Sequence, residues 1–128
     1  MEKPSMELWL KEAKAAESAG KVGMYLFHLG VVRESPKALV RQGDSSKPPV
    51  KAMSFDYDPI KVETALEQAR RMEGIFHVRA WLNKGELALG DDIMQVLIGG
   101  DIRPHVTACL DFLVGKLKNE CVSEKEIY

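Results

Sequence analysis

The sequence has little net charge: across 128 residues the formal balance is −1. No global basic field draws it to nucleic acid or to an anionic membrane, so any anion site must be local. Cysteine is scarce. Cys109 and Cys121 form neither a C-x-x-C motif nor a zinc-like set with His28, His77 or His105, so no metal site and no cofactor are expected. No apolar run reaches the ~18 residues needed to span a membrane. The N-terminal run MEKPSMELWLKEAKAAESAG is too charged for a secretory signal, and the cytoplasm is the expected compartment. The nucleophile elbow G-x-S-x-G, the Walker loop and the zinc motif H-E-x-x-H are all missing, which removes the usual sequence grounds for those chemistries.

What is present suits a folded domain. Hydrophobic residues make up 45% and charged residues 29%, an ordinary globular balance. The length is near that of one domain, so 1–128 is expected to form a single α+β unit with helices packed on a mixed β-sheet. Ser5 is a plausible N-cap for a helix over 5–19, with Gly20 as its stop. Residues 21–33 read as a buried strand. Residues 34–49, rich in Pro, Gly and Ser, read as a flexible loop. A half-buried strand is expected over 50–57. Asp58-Pro59 then opens a helix that ends at Gly74. Strands follow at 75–82 and 92–98, joined by a hairpin-like connection over 83–91. A last helix runs from about 102 to 118, with Val106, Cys109, Leu110, Leu113 and Leu117 as its apolar stripe, and a tail closes the chain.

The cations of the last third stand out. Gly99-Gly100-Asp101-Ile102-Arg103 joins a strand to a helix start, where free N–H groups can bind a phosphate or carboxylate. The bland alternative is a tight turn in which Asp101 caps the helix. Lys118 and Lys125 are either solvated lysines or amines facing a common pocket with Arg33 or Arg103; partial burial would lower their pKa and suit them to chemistry. Arg33 ends a strand beside the 34–49 loop, well placed for an anionic substrate or for solvent. His28 lies inside that strand, and Asp91-Asp92 looks like turn chemistry.

Taken in order, four stretches resemble the large, catalytic subunit of molybdopterin synthase, the MoaE type. They are Val22 to Arg33, ending in Gly-x-Val-Arg; Ser54-Phe55-Asp56-Tyr57 with the following helix; Lys84-Gly85-Glu86-Leu87-Ala88-Leu89-Gly90-Asp91-Asp92; and the last helix with Arg103, Lys118 and Lys125 at the family spacing. The resemblance implies a hammerhead-like α+β fold and a homodimer. Each protomer would bind a small ubiquitin-like sulfur carrier subunit through its C-terminal Gly-Gly tail, giving a heterotetramer. The implied reaction moves sulfur from the carrier's thiocarboxylate to cyclic pyranopterin monophosphate, forming the molybdopterin dithiolene. It casts Lys118 and Lys125 as the catalytic pair. Arg33 and Arg103 become anion-binding residues, with Arg103 reaching across the dimer. His28 stands where the family has an aromatic and is counted with the anion-binding set. Departures are Ile102 for a usual histidine, Leu82-Asn83 for His-Arg, and Val122-Ser123-Glu124 for a proline–aromatic–tryptophan run. The alternative reading is a non-catalytic relative that binds the carrier or an anionic ligand without turnover.

Overall fold

The computed structural model describes residues 3–128. Helix α1 spans Met6–Ala15, and the Ser5 hydroxyl accepts from the Leu8 N–H at 3.2 Å to cap it. It is shorter than expected. Ala16 turns extended, and a single 3₁₀ turn over Glu17–Lys21 brings the chain down to the sheet. There Gly23 N–H donates to the Gly100 carbonyl at 2.8 Å. Strand β1 follows at Met24–Val31, a short helix α2 at Lys37–Gln42, β2 at Ala52–Tyr57, α3 at Pro59–Arg70, β3 at Ile75–Leu82, β4 at Gly85–Ala88, β5 at Asp92–Gly100 and α4 at Arg103–Lys116. One π turn, Leu117–Cys121, then leads into β6 at Val122–Ile127.

The α+β class is as expected, but the strands form two three-stranded sheets, β1-β5-β3 and β4-β2-β6, in which every pairing is antiparallel. This replaces the single mixed sheet. The reason lies in two segments whose partners are distant in sequence. The 83–91 connection contributes β4, which pairs with β2 rather than with its neighbours β3 and β5. The closing tail is β6, on the other side of β2. The 34–49 loop carries α2, whose end is set by Gly43 in the left-handed region.

Strand β5 is central to the first sheet and is buried from Ile93 through Gly100. One sheet face carries Val96 and Ile98 into the main core with Val62 and Leu66 of α3, Val106 and Leu113 of α4, and Phe55 of β2. The other face carries Leu97 into a smaller cluster beneath Trp9 and Ala13 of α1. Burying side chains of this size stabilises the fold by about 1.5–3 kcal/mol each, and truncating Leu113 to Ala would cost about 2–5 kcal/mol. No helix among the described residues is long and apolar enough to cross a membrane.

Candidate active site

A cavity of about 260 Å³ opens where the end of β1, the start of β5, α2, the π turn and β6 converge. Its apolar wall is Met53, Ile93 and Met94, and its polar wall is charged. Arg33 enters from just beyond β1 and donates from Nε to the Ser35 carbonyl at 3.0 Å. Lys37 and Arg41 stand one helical turn apart on α2, the spacing that puts both on one face. Lys118 comes from the π turn. Glu124 and Glu126 alternate along β6 and so face the same way, opposite the buried Phe55 and Met53 of β2. A second, outer cleft of about 570 Å³ shares Lys37, Arg41, Lys118 and Glu124 with the first, so these side chains stand between the two spaces.

The charges are interlocked. Lys37 Nζ pairs with the Glu124 carboxylate, and Lys37 N–H donates to Glu126 Oε2 at 3.0 Å. Glu126 is also held by the Tyr128 hydroxyl, which donates to its other oxygen at 3.0 Å. Lys118 is exposed, and it lines the cavity and the outer cleft from their mouths. Burial of its amine, and then the Arg41 and Arg33 guanidiniums, lower its pKa below the usual lysine value. A lysine so placed yields a neutral amine at a lower pH than a free one, while the surrounding cations hold an anion beside it.

His28 lies on β1 on the same face as Gly30, with its Nε2 buried and without a hydrogen-bond partner among the described residues. Burial, then Lys118, push its pKa down, and it lines neither the cavity nor the outer cleft, so the structure does not place it among the anion-binding side chains.

Two expected members stand elsewhere. Lys125 is exposed and pairs with Ser54 on the face of β6 opposite Glu124 and Glu126, so the structure does not bring it to the cavity with Lys118. The parity of a strand decides this, and it is invisible while the segment reads as a tail. Arg103 opens α4 and is exposed, whereas Lys118 follows its end. The two are roughly 20 Å apart along the helix axis, not gathered at one end.

The Gly-Gly turn is also different. Gly99 and Gly100 are the last residues of β5, in register with Tyr25 and Met24 of β1. A Cβ on Gly99 would meet the Tyr25 ring at 2.8 Å, and one on Gly100 would meet the Gly74 carbonyl and Val106 Cγ2 at 2.7 Å. These glycines permit close packing. Asp101 Oδ1 takes the Ile102 N–H at 2.7 Å, occupying a donor that an anion would need. Cys109, buried in α4, has its thiol pushed up to about 11 by burial, as suits a core residue. Asp91 accepts from Ala88 N–H at 2.8 Å, a turn contact as read from the sequence.

The model of one protein family, described as MoaE protein, matches residues 5–120. The chain belongs to the MoaE family. MoaE proteins are the catalytic subunits of molybdopterin synthase, in molybdenum cofactor biosynthesis. No curated protein matches the chain. Among solved structures, a molybdopterin synthase from Staphylococcus aureus is similar over 100% of this chain and 88% of that one, with TM-score 0.74 and 15% identity. The MoaE protein of Burkholderia ambifaria is similar over 98% and 81%, with TM-score 0.69 and 24% identity. A Helicobacter pylori complex of subunits 1 and 2 of molybdopterin-converting factor is similar over 96% and 80%, with TM-score 0.66 and 16% identity. At these identities the solved structures establish the fold.

Within this MoaE fold the cavity gathers Arg33 and Lys118, which the sequence singles out, with Lys37, Arg41, Glu124 and Glu126, which it does not. The signal for Lys37 and Arg41 was their four-residue spacing, masked by the surrounding Pro, Gly and Ser. For the glutamates it was their two-residue alternation in Val122–Ile127.

Proposed function

We propose that this MoaE protein transfers sulfur from a thiocarboxylated small carrier subunit to cyclic pyranopterin monophosphate, forming the molybdopterin dithiolene. The observation that carries this reading is Lys118, its pKa lowered, flanked by Arg33 and Arg41 in a cationic cavity. Both reaction partners are anionic, a phosphate ester and a thiocarboxylate, and a partly desolvated cationic site stabilises charge that moves between them. Lys118 is the reactive amine, and Arg33 binds the phosphate or the thiocarboxylate. The carrier is a small subunit with a C-terminal Gly-Gly tail; the H. pylori complex of subunits 1 and 2 supports pairing of this kind. The working unit is a homodimer carrying two carriers, in the cytoplasm. Arg103, remote from Lys118 in its own protomer, serves the partner's site.

A second reading is a non-catalytic relative that binds the carrier or an anion. Glu124 and Glu126 inside the cavity favour it, because they offset part of the positive charge a dianionic substrate needs. Reconstitution with thiocarboxylated carrier and the pterin precursor separates the two. Molybdopterin formation supports the transferase, and its absence beside normal carrier binding supports the relative.

A further inference from the structure

We propose that Lys37 of α2, and not Lys125, supplies the second ammonium of the anion site, with Glu124 as the resting counter-ion that an incoming anion displaces. The inference rests on the reading that the cavity takes an anionic substrate.

Position comes first. Lys37 lines both the inner cavity and the outer cleft together with Lys118, whereas Lys125 lines neither and points from the far face of β6. A cation that shares the anion's space acts on it most strongly, since solvent screens exposed charges separated by more than about 8–10 Å at physiological salt. Helix α2 is fixed where this requires. The Lys37 N–H donates to Glu126, and Glu126 is clamped from its other oxygen by Tyr128. Glu126 is therefore a structural anchor. Glu124 differs: its partner among the described residues is the Lys37 ammonium alone. That ammonium is half-buried near Arg41, Lys118 and Arg33, all of the same sign, and Glu124 neutralises part of the excess. A phosphate entering among these cations makes the same contact with more charge and more acceptor oxygens. It replaces Glu124 at Lys37, and the carboxylate turns out into the cleft it already borders. Glu124 thus weakens every anion by competing with it, which makes it a specificity-determining residue favouring dianions over singly charged ligands.

The test is an NMR-monitored titration of the 128-residue protein with inorganic phosphate, on the wild type and single variants. Lys37→Ala should weaken binding about tenfold, as loss of one charge-assisted contact does. Lys37→Arg should retain most of the affinity. Glu124→Gln should tighten binding severalfold, because the competitor is gone, and Lys125→Ala should stay within about twofold of wild type. The opposite signs for Lys37→Ala and Glu124→Gln are the signature. A purely structural latch would move both variants the same way, and that result overturns the proposal. So does a Lys125→Ala defect as large as that expected for Lys37→Ala, or a wild type that binds no phosphate. If the expected pattern appears but the wild type makes no molybdopterin, this inference stands and the proposed reaction falls. If the wild type makes molybdopterin and Lys37→Ala leaves the KM for precursor unchanged, the reaction stands and this inference falls.

Discussion

His105 Nδ1 and Asp101 Oδ1 meet at 2.7 Å, one helical turn apart at the start of α4. The same carboxylate oxygen takes the Ile102 N–H. Glu73 lies 3.6 Å from the other imidazole nitrogen. Gly74, at φ +75°, passes so close that a Cβ there would sit 2.3 Å from both Asp101 Oδ1 and His105 Nδ1. The helix start is therefore closed by its own residues.

This pair gives stability a pH signature. The hydrogen bond that the His105 ring donates to the Asp101 carboxylate raises the His105 pKa above 6.5 and lowers the Asp101 pKa below 3.8. The His105 contribution is complete below 6.5 and is lost as pH rises through the raised value. The Asp101 contribution is complete above 3.8 and is lost as pH falls through the lowered value. Urea midpoints of wild type and His105→Ala should differ most between about pH 4 and 6.5 and converge on either side. A gap constant from pH 3 to 9 would contradict the ion pair.

The glycines of the last third divide by their surroundings. Gly100→Ala places a methyl 2.7 Å from the Gly74 carbonyl and from Val106, and should destabilise by about 1–3 kcal/mol. Gly115 lies inside α4 with nothing within 4 Å of the point where a methyl would stand, so Gly115→Ala should stabilise by about 0.5–1 kcal/mol. Chemical denaturation of both variants decides it; equal effects would count against the packing assigned to Gly100.

Arg41 is the larger of the two guanidinium influences on Lys118. If the neutral amine is the working form, turnover rises with pH through a lowered Lys118 pKa. Arg41→Gln removes a like charge, so the Lys118 pKa should rise and the profile should move to higher pH. A profile that does not move would detach Arg41 from the reacting amine.

Much of this was legible in the residues, and what was not has a common cause. Strand β3 and the Asp58-Pro59 start of α3 follow from local pattern and capping, and both stand where the sequence puts them. Strands β4 and β6 do not, because each is defined by pairing with β2, about thirty and about seventy residues earlier in the chain. That omission propagated into the site. Without β6 there is no parity to turn Lys125 outward and Glu124 inward. Helix α2 is six residues long, too short for periodicity to stand out from its Pro- and Gly-rich flanks, so Lys37 and Arg41 were lost with it. Family spacing pointed to Arg33, Arg103, Lys118 and Lys125 alike, and the fold brings only Arg33 and Lys118 of these to the cavity.

The assignment of Arg103 to a partner's site has a quantitative consequence. Lys118→Ala and Arg103→Ala should each be inactive alone as homodimers. After the two are mixed and allowed to exchange subunits, half the dimers are hybrids with one intact site, so about a quarter of wild-type activity should return. No recovery, or a monomer by sedimentation, would contradict its action in the partner's site, and an active Arg103→Ala homodimer would place it outside the reaction.

The decisive measurement is molybdopterin formation from purified thiocarboxylated carrier and cyclic pyranopterin monophosphate, with wild type and Lys118→Ala compared in single turnover. The wild type should form product. Lys118→Ala should keep its fold and carrier binding yet react about a hundredfold more slowly, as expected when one preorganised contact to the transition state, worth ~3 kcal/mol, is removed. A folded Lys118→Ala protein reacting at the wild-type rate, or a wild type that binds carrier and forms no product, would contradict a catalytic role for this cavity.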